Sequence, residues 1–159
     1  MTYLFMAIFA AAILLLDQVS KFLTVANIPL YGNVECIPGI VGLTYVQNDG
    51  AAFSMLKNQH WLFALVFAVF AAFIIWEFSK KRLPFTTFDR FCIVAVFAGG
   101  LGNMIDRLRF GYVIDMIETK FMDFPIFNVA DIFITCGCFA LITSLIFFNK
   151  EFWKDEKKQ

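Results

Sequence analysis

Histidine is almost missing from this chain: His60, beside Trp61, is the single one, and no H-E-x-x-H pair exists. That excludes zinc hydrolysis of the kind that draws two ligands from histidines one helical turn apart. Cysteine is scarce and scattered. Cys36, Cys92, Cys136 and Cys138 form neither a C-x-x-C nor a ligand cluster, and three of the four lie in apolar runs, where they read as packing residues. Charge has no excess of either sign, with 13 basic against 13 acidic residues, so nothing directs the chain toward nucleic acid or an acidic partner. Internal repeats are absent, and the sole low-complexity feature is a lysine-rich tail.

What the sequence has in abundance is hydrocarbon. Of its 159 residues 60% are hydrophobic and 22 are Phe, with a mean hydropathy of +0.74, too apolar for a soluble domain of this size. Four stretches, residues 3–25, 61–78, 88–105 and 132–148, reach or approach the roughly 20 helical residues that span a bilayer core. No basic residue precedes the first, and Asp17-Gln18 is a poor cleavage context, so it reads as a retained helix rather than a signal peptide. The expected organisation is a single integral membrane domain over residues 1–150 and a charged cytoplasmic tail over 151–159.

Orientation follows from the basic residues. Lys80, Lys81, Arg82 and Arg90 lie between the second and third stretches, and Lys150, Lys154, Lys157 and Lys158 lie after the fourth. The other two connections hold only Lys57, and Arg107, Arg109 and Lys120, so eight basic residues oppose four. The positive-inside rule then puts both termini in the cytoplasm and the two longer connections outside. Those longer connections are β-prone over residues 33–47 and 112–117, between Gly and Pro punctuation. Pro84 and Thr86-Thr87 mark the cytoplasmic turn and the start of the third helix. The fold expected is a membrane α-helical protein of four transmembrane helices with a small β-rich extracytoplasmic cap resting on the outer surface.

An ionisable group at the centre of a membrane helix costs about 2.5–3.5 kcal/mol even on mild scales, so each one near an apolar run calls for a reason. Asp17 and Lys21 stand in i,i+4 order with the acid first, a favourable helix-face pair near the outer boundary, although Asp17 could also simply be neutralised and reach outward. Gly99, Gly100 and Gly102 allow a close helix contact just before Asn103, Asp106 and Arg107. Asp106 is at the unfavourable end of its helix dipole, so Arg107 and Arg109 are expected to compensate it, and a purely structural ion pair explains it equally. Arg107, with five donors, could also hold a carbonyl or a phosphate. Asn128 and Asp131 have the spacing of a helix capping device. Asp115 is harder to dismiss, because it interrupts Val113-Ile114-Asp115-Met116-Ile117 with no basic neighbour within a turn. Asn48-Asp49-Gly50 makes a polar turn before an apolar stretch. Topology alone brings Asp17, Asp49, Asp106, Asp115 and Asp131 to one membrane face.

Serine-lysine pairs such as Ser54 with Lys57 or Ser20 with Lys21 are poorly placed to form a dyad. A carboxylate pair fits better: one ionised Asp takes a proton from water, while a second, kept neutral by repulsion and burial, hydrogen-bonds a substrate carbonyl. Composition and spacing do not choose which of these aspartates would form such a pair. A proton-coupled transporter would need its carboxylate nearer mid-membrane than Asp17, and a structural bundle gives no reason for polar pairs at three helix ends or turns.

Five motifs taken in order resemble the lipoprotein signal peptidases of bacteria, also called signal peptidase II. They are Asp17-Gln18-Val19-Ser20-Lys21, Asn48-Asp49-Gly50-Ala51-Ala52-Phe53, the run from Gly99 through Asn103 and Asp106 to Arg107, Val113-Ile114-Asp115-Met116, and Phe127-Asn128-Val129-Ala130-Asp131. Met116 replaces the Phe usual in that family and Ile114 the usual Val, both apolar exchanges. The resemblance implies an aspartic endopeptidase of the bacterial cell membrane, acting at the extracytoplasmic face. It would remove signal peptides from diacylglyceryl-modified prolipoproteins just before the lipidated cysteine, with no cofactor, metal or obligate protein partner. It also implies Asp115 and Asp131 as the catalytic pair, with Asn48, Asn103, Arg107 and Asn128 lining the pocket. Asp17, Lys21, Gly50 and Asp106 fall in its supporting shell.

Overall fold

The computed structural model describes residues 1–50 and 59–154. Ala51-Ala52-Phe53, Ser54, Lys57 and the tail residues Lys157 and Lys158 lie outside the described residues, as does the side chain of His60.

Four helices are long and apolar enough to cross a membrane: α1 (Thr2–Asn27), α2 (His60–Lys80), α3 (Thr87–Phe110) and α4 (Val129–Thr143), the last continued by a π turn at Ser144–Phe148. At about 1.5 Å per residue α1 measures about 39 Å, more than the hydrocarbon core requires. The helices turn large apolar groups outward, as Phe22, Ile75 and Phe139 do, which is the pattern for lipid contact. Three short strands, β1 (Asn33–Ile37), β2 (Val41–Asn48) and β3 (Val113–Thr119), form one antiparallel sheet in that order. These match the expected four helices and small sheet, with ends shifted by a few residues.

α3 is the hub. More than half of its most apolar stretch is buried (56%), against 17%, 11% and 17% for the others, because its glycines admit neighbours closely. A Cβ added at Gly99 would stand 2.5 Å from the Ala130 carbonyl oxygen, and one at Gly102 would collide with the Asp17 carboxylate. α3 therefore presses its backbone against α4 on one side and α1 on another. The cysteines divide differently from the packing role expected of them. Cys92, on α3, is buried, but Cys36 and Cys136 are exposed, because β1 is an edge strand and Cys136 opens onto a cavity along α4.

At the end away from the sheet, Thr86 and Asp89 form the capping box that starts α3. Asp89 also accepts from Asn149 at 2.7 Å, and Glu77 accepts the Leu83 backbone N–H. A 3-10 turn at Lys150–Trp153 follows, with Phe152 stacked on Phe85.

At the other end, Tyr45, Ile114, Met116 and Ile28 seat the sheet on the C-terminal end of α1. The β2–β3 register pairs Val46 with Asp115 and Asn48 with Val113, so Asn48 and Asp115 are near-diagonal neighbours on adjacent strands. After β3 the chain returns through Phe127, which bridges Ile117, and enters α4 directly. That short return fixes Asp115 on a strand beside Asp131 on a helix.

Candidate functional site

Asn128 joins the two carboxylates. It is the N-cap of α4, its side-chain oxygen accepts the Asp131 N–H at 3.0 Å, and its own backbone N–H donates to Asp131 Oδ2 at 3.1 Å. Its amide nitrogen is then free to donate to Asp115 Oδ1 at 2.7 Å. The capping device expected from the spacing is present, and the same two residues stand beside Asp115.

Each remaining carboxylate oxygen also has a donor. Asn48 Nδ2 lies 2.9 Å from Asp115 Oδ2, and Asn103 Nδ2 lies 2.7 Å from Asp131 Oδ1. Asp115 is buried, with 2% exposure, while Asp131 is partly open to a cavity of about 460 Å³ that both line. The other walls are largely apolar, from Val113 and Phe124 to Ile132 and Thr135 down α4. Burial, reinforced by the neighbouring Asp131 charge, pushes the Asp115 carboxyl up to about 7, against hydrogen bonds from Asn48 and Asn128 that pull it down.

Behind this pair lies an ion cluster. Lys21 Nζ sits 2.9 Å from Asp17 and 2.8 Å from Asp106, all three essentially without solvent exposure. Asp17 Oδ1 accepts the Ala130 N–H at 2.9 Å, so a carboxylate of α1 helps to cap α4. Asp106 accepts the Ile114 N–H at 3.2 Å, tying α3 to β3. The cation that compensates Asp106 is thus Lys21 and neither of the expected arginines. Arg109 stands over Phe110, and Arg107 reaches Gly50, just past β2. Sequence spacing favoured the nearest cations along the chain, whereas Gly102 lets α1 come close enough for Lys21 to reach across.

Arg107 donates to the Gly50 carbonyl at 3.0 Å and to the Asn103 carbonyl at 3.2 Å, with its guanidinium 4.2 Å from the centre of the Phe63 ring. It does hold a carbonyl, one of its own chain, and it lines the same cavity. Asp49, just after β2, borders a second cavity that Asp115 also lines.

Two participants had no assigned role in the sequence. Gln18 bonds Asp17 at 3.1 Å, Asp106 at 3.1 Å and the Gly102 carbonyl at 3.3 Å, closing the ion cluster from the side. Its place inside an Asp17-to-Lys21 motif was the available signal. Phe63 carries none, since an aromatic residue in an apolar helix is indistinguishable from core.

A sequence model of the family described as Signal peptidase (SPase) II matches residues 9–147. The lipoprotein signal peptidase of Streptococcus pyogenes serotype M2 (strain MGAS10270) is 43% identical over 141 residues, 89% of this chain and 88% of that protein. The lipoprotein signal peptidase of Streptococcus pyogenes serotype M5 (strain Manfredo) is also 43% identical over the same shares. Among solved structures, a "Bacterial membrane enzyme structure by the in meso method at 2.3 A resolution" superposes with a TM-score of 0.82 at 30% identity, covering 97% of this chain and 92% of that one.

Proposed function

This chain belongs to the signal peptidase II family of bacterial multi-pass membrane peptidases, and from that premise we propose that it is an aspartic endopeptidase for lipoprotein precursors, with Asp115 and Asp131 as its catalytic pair. Its substrates are prolipoproteins whose cysteine carries diacylglycerol, and the bond cut is the one just before that cysteine. The active face is extracytoplasmic and both termini are cytoplasmic, in keeping with the eight-to-four bias of basic residues.

The observation that carries this reading is the pairing of two carboxylates by one residue, Asn128, on the wall of a largely apolar cavity. A carboxyl raised to about 7 is available as an acid near neutral pH. Asp115 in its protonated form hydrogen-bonds the scissile carbonyl oxygen. Asp131, oriented by Asn103 and by the Asn128 backbone, takes a proton from the attacking water. The tetrahedral intermediate collapses as that proton passes to the cysteine nitrogen, which leaves as an amine while the signal peptide ends in a carboxylate. The two carboxyls exchange roles in proton ownership and titrate as a pair.

The apolar walls suit a substrate that arrives within the membrane. Two acyl chains contribute roughly 0.8 kcal/mol per buried CH₂ and confine the precursor to the membrane plane beside the dyad. The test is cleavage of a lipidated precursor peptide by the purified protein in detergent, without added metal or nucleotide, next to the same peptide unlipidated. Cleavage of the lipidated peptide alone is expected. Equal rates on both would remove the proposed role of the lipid, and cleavage of neither would remove the function.

A further inference from the structure

The end of the bundle away from the sheet has a cavity of its own, and the proposed mechanism makes no use of it. It is small, about 190 Å³, and forms where α1 and α3 begin and α2 ends. Lys81 and Arg90 line it, together with the hydroxyl-bearing residues Thr2, Tyr3 and Thr87. Among the described residues no carboxylate does.

The two cations are held in place without being neutralised. Lys81 Nζ stands 5.5 Å from the centre of the Tyr3 ring and the Arg90 guanidinium 5.9 Å from that of Phe78, contacts that position a cation and leave its charge intact. The carboxylates of this end are committed elsewhere. Glu77 accepts the Leu83 N–H, Asp89 accepts from the Thr86 N–H and from Asn149, and Glu151 pairs with Lys154. Neither Lys81 nor Arg90 has an ion-pair partner among the described residues.

Lys81 also occupies a position that suits another residue better. It is the C-cap of α2 with φ 49°, in the left-handed region where glycine is the ordinary choice and a β-carbon is a cost. Glycine would make the same turn with less strain. What lysine adds there is its side chain, and that side chain borders the cavity.

Two unpaired cations beside hydroxyl groups are suited to a phosphate, whose oxygens accept charge-assisted hydrogen bonds. The surroundings favour a phosphate carried on a lipid. Each of the three helices that meet here is long and apolar enough to cross a membrane, so their ends lie at the depth of the headgroups. Leu4 and Phe5 on α1 and Phe88 on α3, next in sequence to lining residues, are exposed apolar groups that acyl chains can cover.

We propose that this cavity binds the phosphate of an anionic phospholipid, with Lys81 and Arg90 as its ligands. The bound lipid fastens the end of α2 to the starts of α1 and α3. The inference depends neither on the peptidase reading nor on which face of the membrane this end occupies.

The full-length protein, in a detergent with neutral headgroups, is titrated with phosphatidylglycerol, with phosphatidylcholine and with inorganic phosphate. Lipid retention is read by native mass spectrometry and stability by thermal unfolding. Phosphatidylglycerol should bind about fivefold or more tightly than phosphatidylcholine and raise the melting temperature with concentration, and inorganic phosphate at the same concentration should not raise it. Lys81→Gly and Arg90→Gln should each weaken phosphatidylglycerol binding by about fivefold. Lys81→Gly separates binding from folding, because without lipid it should melt no lower than the parent chain. Lys150→Gln removes an equal charge from the same end but lies outside the lining, and should leave binding unchanged. Equal binding of the two lipids overturns the inference. An equal loss in Lys150→Gln also overturns it, since the attraction would then be to diffuse basic charge, and so does equal stabilisation by inorganic phosphate, since the ligand would then be a free anion.

Discussion

Lys21 donates to the side-chain oxygen of Asn103 at 2.9 Å, and that contact decides which face Asn103 turns to the proposed catalytic pair. The same oxygen accepts from Asn128 at 3.0 Å, so the amide nitrogen is left pointing at Asp131, 2.7 Å away. Lys21 has three donors, and they go to Asp17, Asp106 and Asn103. A cation on α1 thereby sets the hydrogen-bond polarity of a site built on α3, β3 and α4. The buried ion cluster and the dyad form one connected network rather than two neighbouring ones.

Removing Lys21 leaves two buried carboxylates facing each other. Breaking a buried pair in this way costs about 3–5 kcal/mol, so Lys21→Met is expected to lower the yield of folded protein and its melting temperature in detergent. Asp17→Asn and Asp106→Asn should act in the same direction, the first by weakening the cap on Ala130 and the second by loosening Ile114. Thermal unfolding of the purified variants measures this, and an unchanged melting temperature for Lys21→Met would show that the cluster is not structural.

Asn103→Ala should behave differently, because Lys21 keeps both its carboxylates. The variant folds but loses a donor to Asp131 and an acceptor for Asn128. A hydrogen bond to a charged group contributes about 1.5–3 kcal/mol, which as a barrier is roughly a ten- to hundredfold loss in kcat. Full turnover in Asn103→Ala would detach that residue from the mechanism.

A pH dependence is expected from Asp115. Its neutral form is the proposed acid, so activity should persist below about pH 7 and decline above it. The stability linkage has the same sign. Burial raises this carboxyl above its unfolded value of 3.8, so its contribution is complete below 3.8 and is lost as pH rises through about 7. Asn48 is the hydrogen bond that most pulls the value down, so Asn48→Ala should move the alkaline limb upward. A limb that stays in place in that variant would remove Asp115 as the titrating group.

Much of the fold was legible in the chain, and for identifiable reasons. The four helices announce themselves because a bilayer demands long apolar runs, and the capping boxes at Thr86 and Asn128 are local signals. Asp115 stood out because a carboxylate in a β-prone apolar run has no local explanation. The partner of Asp106 was not legible. Lys21 is 85 residues away in sequence, and its reach depends on Gly102 admitting α1, which no spacing along one helix reveals. The same holds for Arg107, whose carbonyl partner Gly50 lies just past β2. Composition and spacing alone did not choose Asp115 over Asp106 as a catalytic group. The proposed choice rests on charge compensation: among the described residues Asp106 contacts an ammonium, whereas Asp115 contacts the amides of Asn48 and Asn128.

Orientation is testable through the loops. In a background with Cys36, Cys92, Cys136 and Cys138 replaced, an impermeant thiol reagent applied from outside should label Asn33→Cys on β1 and Lys120→Cys after β3. It should spare Lys81→Cys at the end of α2, on the side with the denser basic charge. Labelling of Lys81→Cys from outside would invert the topology and move the site to the other face.

The dyad itself is tested by isosteric removal of each titratable group. Asp115→Asn and Asp131→Asn preserve shape and should leave the folded protein largely intact, because Lys21, Asp17 and Asp106 still join α1, α3 and the sheet. Asp131→Asn does weaken the capping box of α4, so its melting temperature has to be read alongside its rate. Each substitution should lower kcat by about 10²–10⁴ per folded molecule. The double variant should be scarcely slower than either single one, since a water activated by one carboxylate is useless without the acid that receives the carbonyl, and groups that act as a unit are not additive. Asp17→Asn, by contrast, should lose folded protein rather than turnover per folded molecule. Full activity in either Asp115→Asn or Asp131→Asn would sink the aspartic mechanism, and losses that multiplied in the double variant would show two independent contributions instead of one pair.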